Sequence, residues 1–482
     1  MPPSIPHTQL FIANEWRDSH SGDRFATIDP STEDVLCEVA CGSAQDIDDA
    51  VQAAQTAFAG AWSQVQPKER AQLLYQLAQA IRAEANNLAQ LETLDTGKPL
   101  SHAKGEIVGA ARYFEYYAGL ADKVHGETIP IGNDYLDFTL IEPLGVTAHI
   151  VPWNAPLSMV ARSAAPALAT GNTTVFKPAE QTPLTALALA ALMQQVGFPA
   201  GVYNVVNGFG YDAGAALSQH PGIHSLTFTG SVTSGRKVMQ AAAEHIKPVV
   251  LELGGKSPQL IFPDADLDQA VADVAMGIYC NTGQYCDAGS RLVIHESIKA
   301  PFLEKLVAHA QSLTVGKGID DPNMGPLVSA EHFERVMGYI KKGEYEGAQM
   351  ITGGDRPSHL DKGYFLQPTI FDQVTPDMVI AQEEIFGPVL SVLSFTDEEE
   401  ALAIANNSVY GLGAGIFTRD IDRAMRLAKK VQAGYVMINE YFAGDIGAPF
   451  GGYKQSGIGR ERGLVALQNY TQVKNVTLRI HG

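Results

Sequence analysis

The sequence predicts an α/β protein centred on a parallel sheet, and three observations carry that reading. First, from Gly145 to Leu253 strand-like and helix-like segments alternate at lengths suited to βαβ units, which bury a parallel sheet on both faces. Second, the expected strand ends gather polar and glycine residues: Pro152-Trp153-Asn154, Lys177-Pro178, Asn207-Gly208, Thr229-Gly230-Ser231 and Gly254-Gly255. Open sheets of this kind bind ligands beyond the carboxyl ends of their strands. Third, 482 residues with 45% apolar and 18% charged side chains are globular in composition and too many for one core.

The elements follow in order. An N-terminal strand pair precedes helices. Ser43 is placed to cap a helix whose Ile47, Val51, Ala54 and Phe58 recur at helical spacing, and a second helix after Pro67 carries Leu73, Leu74, Leu77 and Ile81 on one face. Residues 127–142 alternate like a strand with a turn at Gly132-Asn133, suggesting a projecting arm. VTAHIVP, NTTVFKP, VYNVV, SLTFTG and PVVLEL then read as strands, separated by helices over 157–168, 184–195, 212–218 and 233–244. After Pro258 a second region has helices near 266–279, 297–312 and 330–346, and strands near 290–295, 388–395 and 434–439. The closing VKNVTLRI alternates like an edge strand suited to pair with the arm or with a neighbouring subunit.

Charge and cysteine usage exclude several classes. The formal charge of −19, from 53 acidic and 34 basic residues, disfavours nucleic-acid and anionic-membrane partners. The apolar run at Leu184–Met193 is too short to span a bilayer, and the first residues lack a signal-peptide pattern, so a cytoplasmic location is expected. Cys37, Cys41, Cys280 and Cys286 form no disulfide framework and no zinc-ligand spacing, so no metal is expected. The first three read as small buried hydrophobes.

Five constellations bear on chemistry. Gly230-Ser231 opens a helix after a strand, where free N–H groups suit a pyrophosphate, although Ser231 equally suits an ordinary cap. Gly208, Gly210 and Gly214 match a dinucleotide fingerprint only loosely. Lys177 and Glu180 beyond a strand end are placed either for ribose hydroxyls or as a surface ion pair. Glu252 interrupts an apolar strand just before two glycines, so it is a general-base candidate or half of a structural salt bridge. Cys286 sits in NTGQYCDAGSR, bracketed by Gly283 and Gly289. A loop there presents the thiol and leaves backbone N–H groups free to hold an oxyanion, with Asn154 supplying a second, neutral donor.

The blocks PWNAP, NTTVFKPAEQTP, FTGSVTSG, LELGGKSP, GQYCDAGSR, EEIFGPV and PFGGYKQSG, in this order, resemble the aldehyde dehydrogenase superfamily over nearly the whole chain. The resemblance implies a Rossmann-like cofactor domain over 1–122 and 143–253 and a catalytic domain over 254–455. It also implies an oligomerisation element from the arm at 123–142 and the C-terminal residues 456–482, which makes homodimers or homotetramers. By resemblance Cys286 is the nucleophile, Asn154 holds the oxyanion, and Glu252 activates the hydrolytic water; Glu252 disfavours a coenzyme-A-acylating reaction. NAD is the implied cofactor, NADP being possible. Lys177 and Glu180 would take its adenosine ribose, Gly230 and Ser231 its pyrophosphate, and Glu384 its nicotinamide ribose, with Phe386, Trp153 and Gly254 beside it.

Departures from the family pattern bear on the substrate. Ser163, preceded by Arg162, stands where relatives often have a lysine linked to the glutamate matched by Glu461, which puts that relay in doubt. Ala155 replaces a bulky aromatic and is expected to widen the tunnel. With Met159, Tyr285, Phe442 and Phe450, it suggests a roomy aromatic pocket for a bulky aromatic aldehyde. An aminoaldehyde or semialdehyde is the alternative. Asp287 is open to three readings: contact with a cationic substrate, contact with a ring hydroxyl, or an ion pair with Arg291.

Overall fold

The computed structural model describes residue 5 and residues 7–480; the outermost residues assigned above to the terminal elements lie outside them. Two large sheets organise the chain. The first is eight-stranded, in the order Gly457–Ile458, Val249–Glu252, Ser225–Thr229, Val146–Ile150, Thr173–Lys177, Tyr203–Val205, Leu10–Ile12, Glu15–Arg17. From Val249–Glu252 to Tyr203–Val205 neighbours are parallel, and the flanking strands pair antiparallel. The strand order reverses direction between Val146–Ile150 and Ser225–Thr229. In doubly wound sheets the crevice outside such a switch point is where ligands lie. Here its lips are Trp153-Asn154 and Gly230-Ser231.

The edge of this sheet next to Glu252 is closed by a distant segment. Glu252 pairs with Gly457, Leu253 N donates to Ser456 O at 2.9 Å, and Ser456 Oγ donates to Gly254 O at 2.7 Å. The strand carrying Glu252 is thus gripped from the far end of the chain.

The second sheet has seven strands, in the order Gln349–Thr352, Thr369–Asp372, Val389–Phe395, Arg291–His295, Pro258–Ile261, Gly413–Phe417, Tyr435–Ile438. All pairs are parallel except the first. Four strands read poorly in the sequence, Thr369–Asp372 among them, which is buried at all but its last residue. Pro258–Ile261 and Gly413–Phe417 are wholly buried and short, so they lack alternation, and Gln349–Thr352 lies at the edge. The helices Glu398–Asn406 and Ile421–Lys430 were also not anticipated.

The arm and the C-terminal segment meet within one chain: Thr471–Arg479 pairs antiparallel with Tyr135–Pro143, which pairs in turn with Thr128–Ile129. The Gly210–Gly214 stretch is a π-helical turn leading into the helix Ala215–Gln219. Cys37, Cys41 and Cys280 are free and half-buried rather than fully buried.

Candidate active site

Between the carboxyl ends of the first sheet and the amino ends of the second lies a cleft of about 950 Å³. Asn154, Glu252 and Cys286 share its wall. Asn154 follows the strand Val146–Ile150, Glu252 ends the strand Val249–Glu252, and Cys286 stands on the loop before Arg291–His295. Asn154 and Glu252 are 98 positions apart and Glu252 and Cys286 are 34 apart, so the three face one space only because the topology stacks the two sheet ends.

The loop bearing Cys286 is held in an unusual path. Asn281, Thr282 and Gly283 lie in the left-handed region at φ 48°, 60° and 72°. A Cβ on Gly283 would come 2.2 Å from Gly387 O, so no other residue fits without movement. Thr282 Oγ1 donates to Gly325 O at 2.9 Å, and Gln284 Oε1 accepts from Val328 N at 3.0 Å. Left-handed non-glycine residues persist where surroundings over-determine them, and such strain gathers at functional sites. Phe386, which lines this cleft, shares that conformation, as do Phe442 and Arg462.

Asn154 is buried, and its Nδ2 donates to Gln284 O at 2.9 Å, which brings the amide alongside the Cys286 loop. Cys286 is half-buried. Burial and the nearby Asp287 and Glu252 carboxylates push its thiol well above the usual range, with Arg162 opposing. Glu252 is buried and its Oε1 has no hydrogen-bond partner. Burial drives its carboxyl well above the usual range, again against Arg162. A carboxyl that is buried, unpaired and high in pKa beside a thiol fits proton transfer better than a structural salt bridge.

The residues expected to hold a dinucleotide line the same cleft or adjoin it. Lys177 is buried, and its Nζ donates to Glu180 Oε2 at 2.7 Å. Burial lowers the Lys177 ammonium, with Glu180 opposing. Glu180 is partly exposed on a neighbouring hollow with Gln181 and Phe209. Ser231 does cap the helix Val232–Ala243, its Oγ accepting from Ser234 N at 3.2 Å. One cap leaves other first-turn N–H groups free, so capping and anion binding are compatible. The cleft passes close over backbone at Gly254, where a Cβ would lie 2.2 Å from Glu384 Oε2. Glu384 Oε1 accepts from Gly255 N at 3.0 Å, and burial pushes this carboxyl to about 7. Trp153 meets Phe386 edge to face at 5.2 Å. An exposed helix start, a close backbone approach and a carboxylate at each end make a wall that fits a dinucleotide. Gly208, Gly210 and Gly214 are not on this wall.

Sequence reasoning missed His332 and Arg335, which also line the cleft. His332 Nε2 donates to Phe386 O at 2.7 Å, and its ring meets Trp153 at 5.2 Å. Burial lowers His332 to about 4, so it is neutral near pH 7. Their only signal was a helical segment with apolar spacing, which does not reveal its cleft-facing side.

On the substrate side several expectations need correction. Ala155 is buried at the start of the helix Pro156–Ala169 and is not on the cleft wall, whereas Met159 is. Tyr285 packs edge to face on Phe442 at 5.6 Å, but its hydroxyl donates to Glu106 Oε1. Phe450 is buried between the guanidinium groups of Arg162 at 5.6 Å and Arg462 at 4.6 Å. Asp287 is not paired with Arg291. Arg291 instead donates to Lys256 O, Ile404 O and Ala405 O at 2.8–2.9 Å. Two of those carbonyls end the helix Glu398–Asn406, where a cation finds orphan acceptors. Burial raises Asp287, while Arg462 and then Arg162 lower it. In place of a lysine relay, Arg162 Nη2 lies 2.7 Å from Glu461 Oε2, both side chains being almost wholly buried. Despite burial, the Glu461 and Glu252 carboxylates raise Arg162, fixing it as a permanent cation.

Comparison with known proteins places this arrangement. Residues 16–476 match the model of the aldehyde dehydrogenase family. A mitochondrial aldehyde dehydrogenase of Equus caballus is 48% identical over 99% of this chain and 96% of its own length. An aldehyde dehydrogenase of Emericella nidulans is 48% identical over 98% and 95%. Among solved structures, the NAD+ complex of the aldehyde dehydrogenase from Bacillus cereus superposes with a TM-score of 0.97 at 48% identity, covering 98% of this chain and 97% of that one. Betaine aldehyde dehydrogenase of Staphylococcus aureus in complex with NAD+ gives 0.96 at 40%, covering 98% and 94%. With sequence, fold and cleft in agreement along the whole length, the chain belongs to the aldehyde dehydrogenase family and is an aldehyde-oxidising oxidoreductase.

Proposed function

We propose that this chain oxidises an aldehyde to the carboxylic acid with NAD, through a covalent thioester on Cys286. The observation that carries the reading is the shared wall of the cleft, where a half-buried thiol, a buried amide donor and an unpartnered carboxyl converge. Cys286 passes its proton to Glu252, which gives it up to water before the hydrolytic step, and the sulfur bonds to the aldehyde carbon as the carbonyl π pair moves onto oxygen. Asn154 Nδ2 and the Cys286 backbone N–H stabilise the oxyanion as it develops. Bound NAD supplies the acceptor for the hydride that leaves this carbon. The resulting thioester is hydrolysed when Glu252 takes a proton from water, oxygen adds to the acyl carbon and the C–S bond breaks. Glu180 beside Lys177 supports NAD over NADP, since an acidic partner repels a 2′-phosphate.

The domain division given above accompanies this proposal: residues 1–122 and 143–253 serve the cofactor, and 254–455 carry the nucleophile. The arm and C-terminal strand serve assembly. Exposed Ile129, Leu136, Leu140 and Val473 on that three-stranded sheet support a homodimer or homotetramer, which light scattering tests by mass. No helix among the described residues is long and apolar enough to cross a membrane. A cytoplasmic location is proposed on the sequence reading, and cell fractionation decides it against the mitochondrial one that several relatives' names carry.

For the substrate we favour a bulky aromatic aldehyde, a reading supported by Met159 on the cleft wall beside Cys286 and by Tyr285, next to Cys286 in the chain and packed on Phe442. A cationic aldehyde is disfavoured because the charges of Arg462 and Arg162 already act on Asp287. The test is NADH formation and product analysis across benzaldehyde-type, aliphatic and cationic aldehydes. Free acid from the aromatic class at the highest kcat/KM is expected. No NADH from any class overturns the function, and preference for a cationic aldehyde overturns the substrate assignment.

A further inference from the structure

A cluster of buried charge behind the cleft remains outside the mechanism above. Lys98 follows the helix Ala85–Thr96, and its side chain is wholly buried. An ammonium has three N–H donors and no acceptor. Lys98 Nζ directs them to Asn154 O at 2.8 Å, to Glu106 Oε2, and to Glu92 Oε1 at 3.5 Å. The carboxylates reach further. Glu92 Oε2 accepts from Leu157 N at 3.2 Å, in the first turn of the helix after Asn154. Glu106 Oε1 accepts from the hydroxyl of Tyr285, the residue before Cys286. Asn281 Nδ2 adds a second donor to Asn154 O at 3.1 Å.

We propose that Lys98, with Glu92 and Glu106, is a positioning cluster that fixes the two oxyanion donors relative to each other. One end holds the backbone of Asn154, and the other holds the residue beside Cys286. The inference deepens the proposed function and rests on its assignment of Asn154 and Cys286 as those donors. Burying this much charge is costly unless every group is paired, and removal of one member leaves the rest uncompensated. Burial pushes Glu92 to about 8 against the pull of Lys98, while Lys98 holds Glu106 below the usual carboxylate range despite its burial. Burial thus favours the neutral form of Glu92 while the neighbouring ammonium favours the charged form of Glu106, so the two carboxyls are driven in opposite directions within one paired cluster. A misplacement of about 1 Å costs on the order of 10²-fold in rate, and that sets the expected effect.

The experiment compares two reactions of the same sulfur in the full-length protein. Aldehyde oxidation needs the oxyanion donors, whereas alkylation of Cys286 by iodoacetamide is a displacement that forms no oxyanion. In Lys98→Met the NADH burst should fall on the order of 10²-fold, with the alkylation rate and the NAD dissociation constant within about threefold of the parent. Glu106→Gln keeps the volume, and should lower the burst by about tenfold with the same pattern, so the idea stays testable if Lys98→Met does not fold. A burst that is unchanged in a folded variant, or that falls in parallel with alkylation and NAD binding, overturns the proposal. Asn154→Ala in the same assay separates the levels. An intact burst there refutes the oxyanion assignment itself, whereas a lost burst beside a normal Lys98→Met refutes only the positioning role.

Discussion

The two walls of the cleft are built on different principles. On the dinucleotide side, partners are neighbours in sequence: Lys177 with Glu180, Ser231 with Ser234, and Glu384 against Gly255 as the exception. On the catalytic side, partners are far apart: Asn154 and Gln284 by 130 residues, and Tyr285 and Glu106 by 179. Arg162 and Glu461 are likewise joined only by the folded chain. A strand end followed by a helix start forms its binding features as soon as the βαβ unit forms. The catalytic wall exists only after both sheets are stacked. The first wall is a property of local motifs, and the second of the whole topology.

Substitutions separate these two kinds of wall, and the largest effects are expected on the catalytic one. Cys286→Ser should lower turnover on the order of 10⁴-fold or more, while NAD binding followed by fluorescence stays normal. Loss of both together would mean the walls are not independent. Glu252→Gln should reduce steady-state turnover by about 10²–10⁴-fold and leave a single burst of NADH, visible by stopped flow. Because burial raises the Glu252 carboxyl, turnover limited by hydrolysis should rise with pH as that group ionises.

Arg162→Met sharpens the contrast. It strands Glu461 in the interior, so unfolding in denaturant should show a loss of about 3–5 kcal/mol. The arginine charge favours ionised Glu252, so its removal raises that pKa further and moves the rising limb of the pH profile to higher pH. A limb that stayed in place would show that Arg162 does not act on the base. The smallest effect belongs to the dinucleotide wall. Glu180→Gln should raise KM for NAD by about tenfold, as expected for one lost charged hydrogen bond, with kcat nearly unchanged and the preference against NADP reduced.

The same contrast explains what the sequence could reveal. The alternation from Gly145 to Leu253 placed each strand of the parallel core, and the strand-end residues pointed to the crevice where Trp153 and Gly230 lie. Cys286, Glu252 and Asn154 stood out because each breaks its local pattern. Lys98 and Glu106 did not, since a charged residue in a helical segment looks solvent-exposed until its partner is known. Asp287 and Arg291 show the opposite error. A pair was one of three readings open for Asp287, but the strand register carries Arg291 to the carbonyl end of the helix Glu398–Asn406. The partner of Glu461 was hidden for a related reason: the lysine position is Ser163, and it is the adjacent Arg162 that reaches Glu461.

The short pairing of Glu252 with Gly457 has a consequence for biosynthesis. A ribosome completes the dinucleotide motifs and the reactive sulfur long before it makes the segment that seats the general base. During that interval a nascent chain has a thiol and no means of turning over an acyl group attached to it. Chains arrested or clipped before Gly457 are accordingly expected to be acceptors that react once and stay blocked, and a truncation series given a radioactive aldehyde together with NAD as hydride acceptor would display them as permanently acylated fragments.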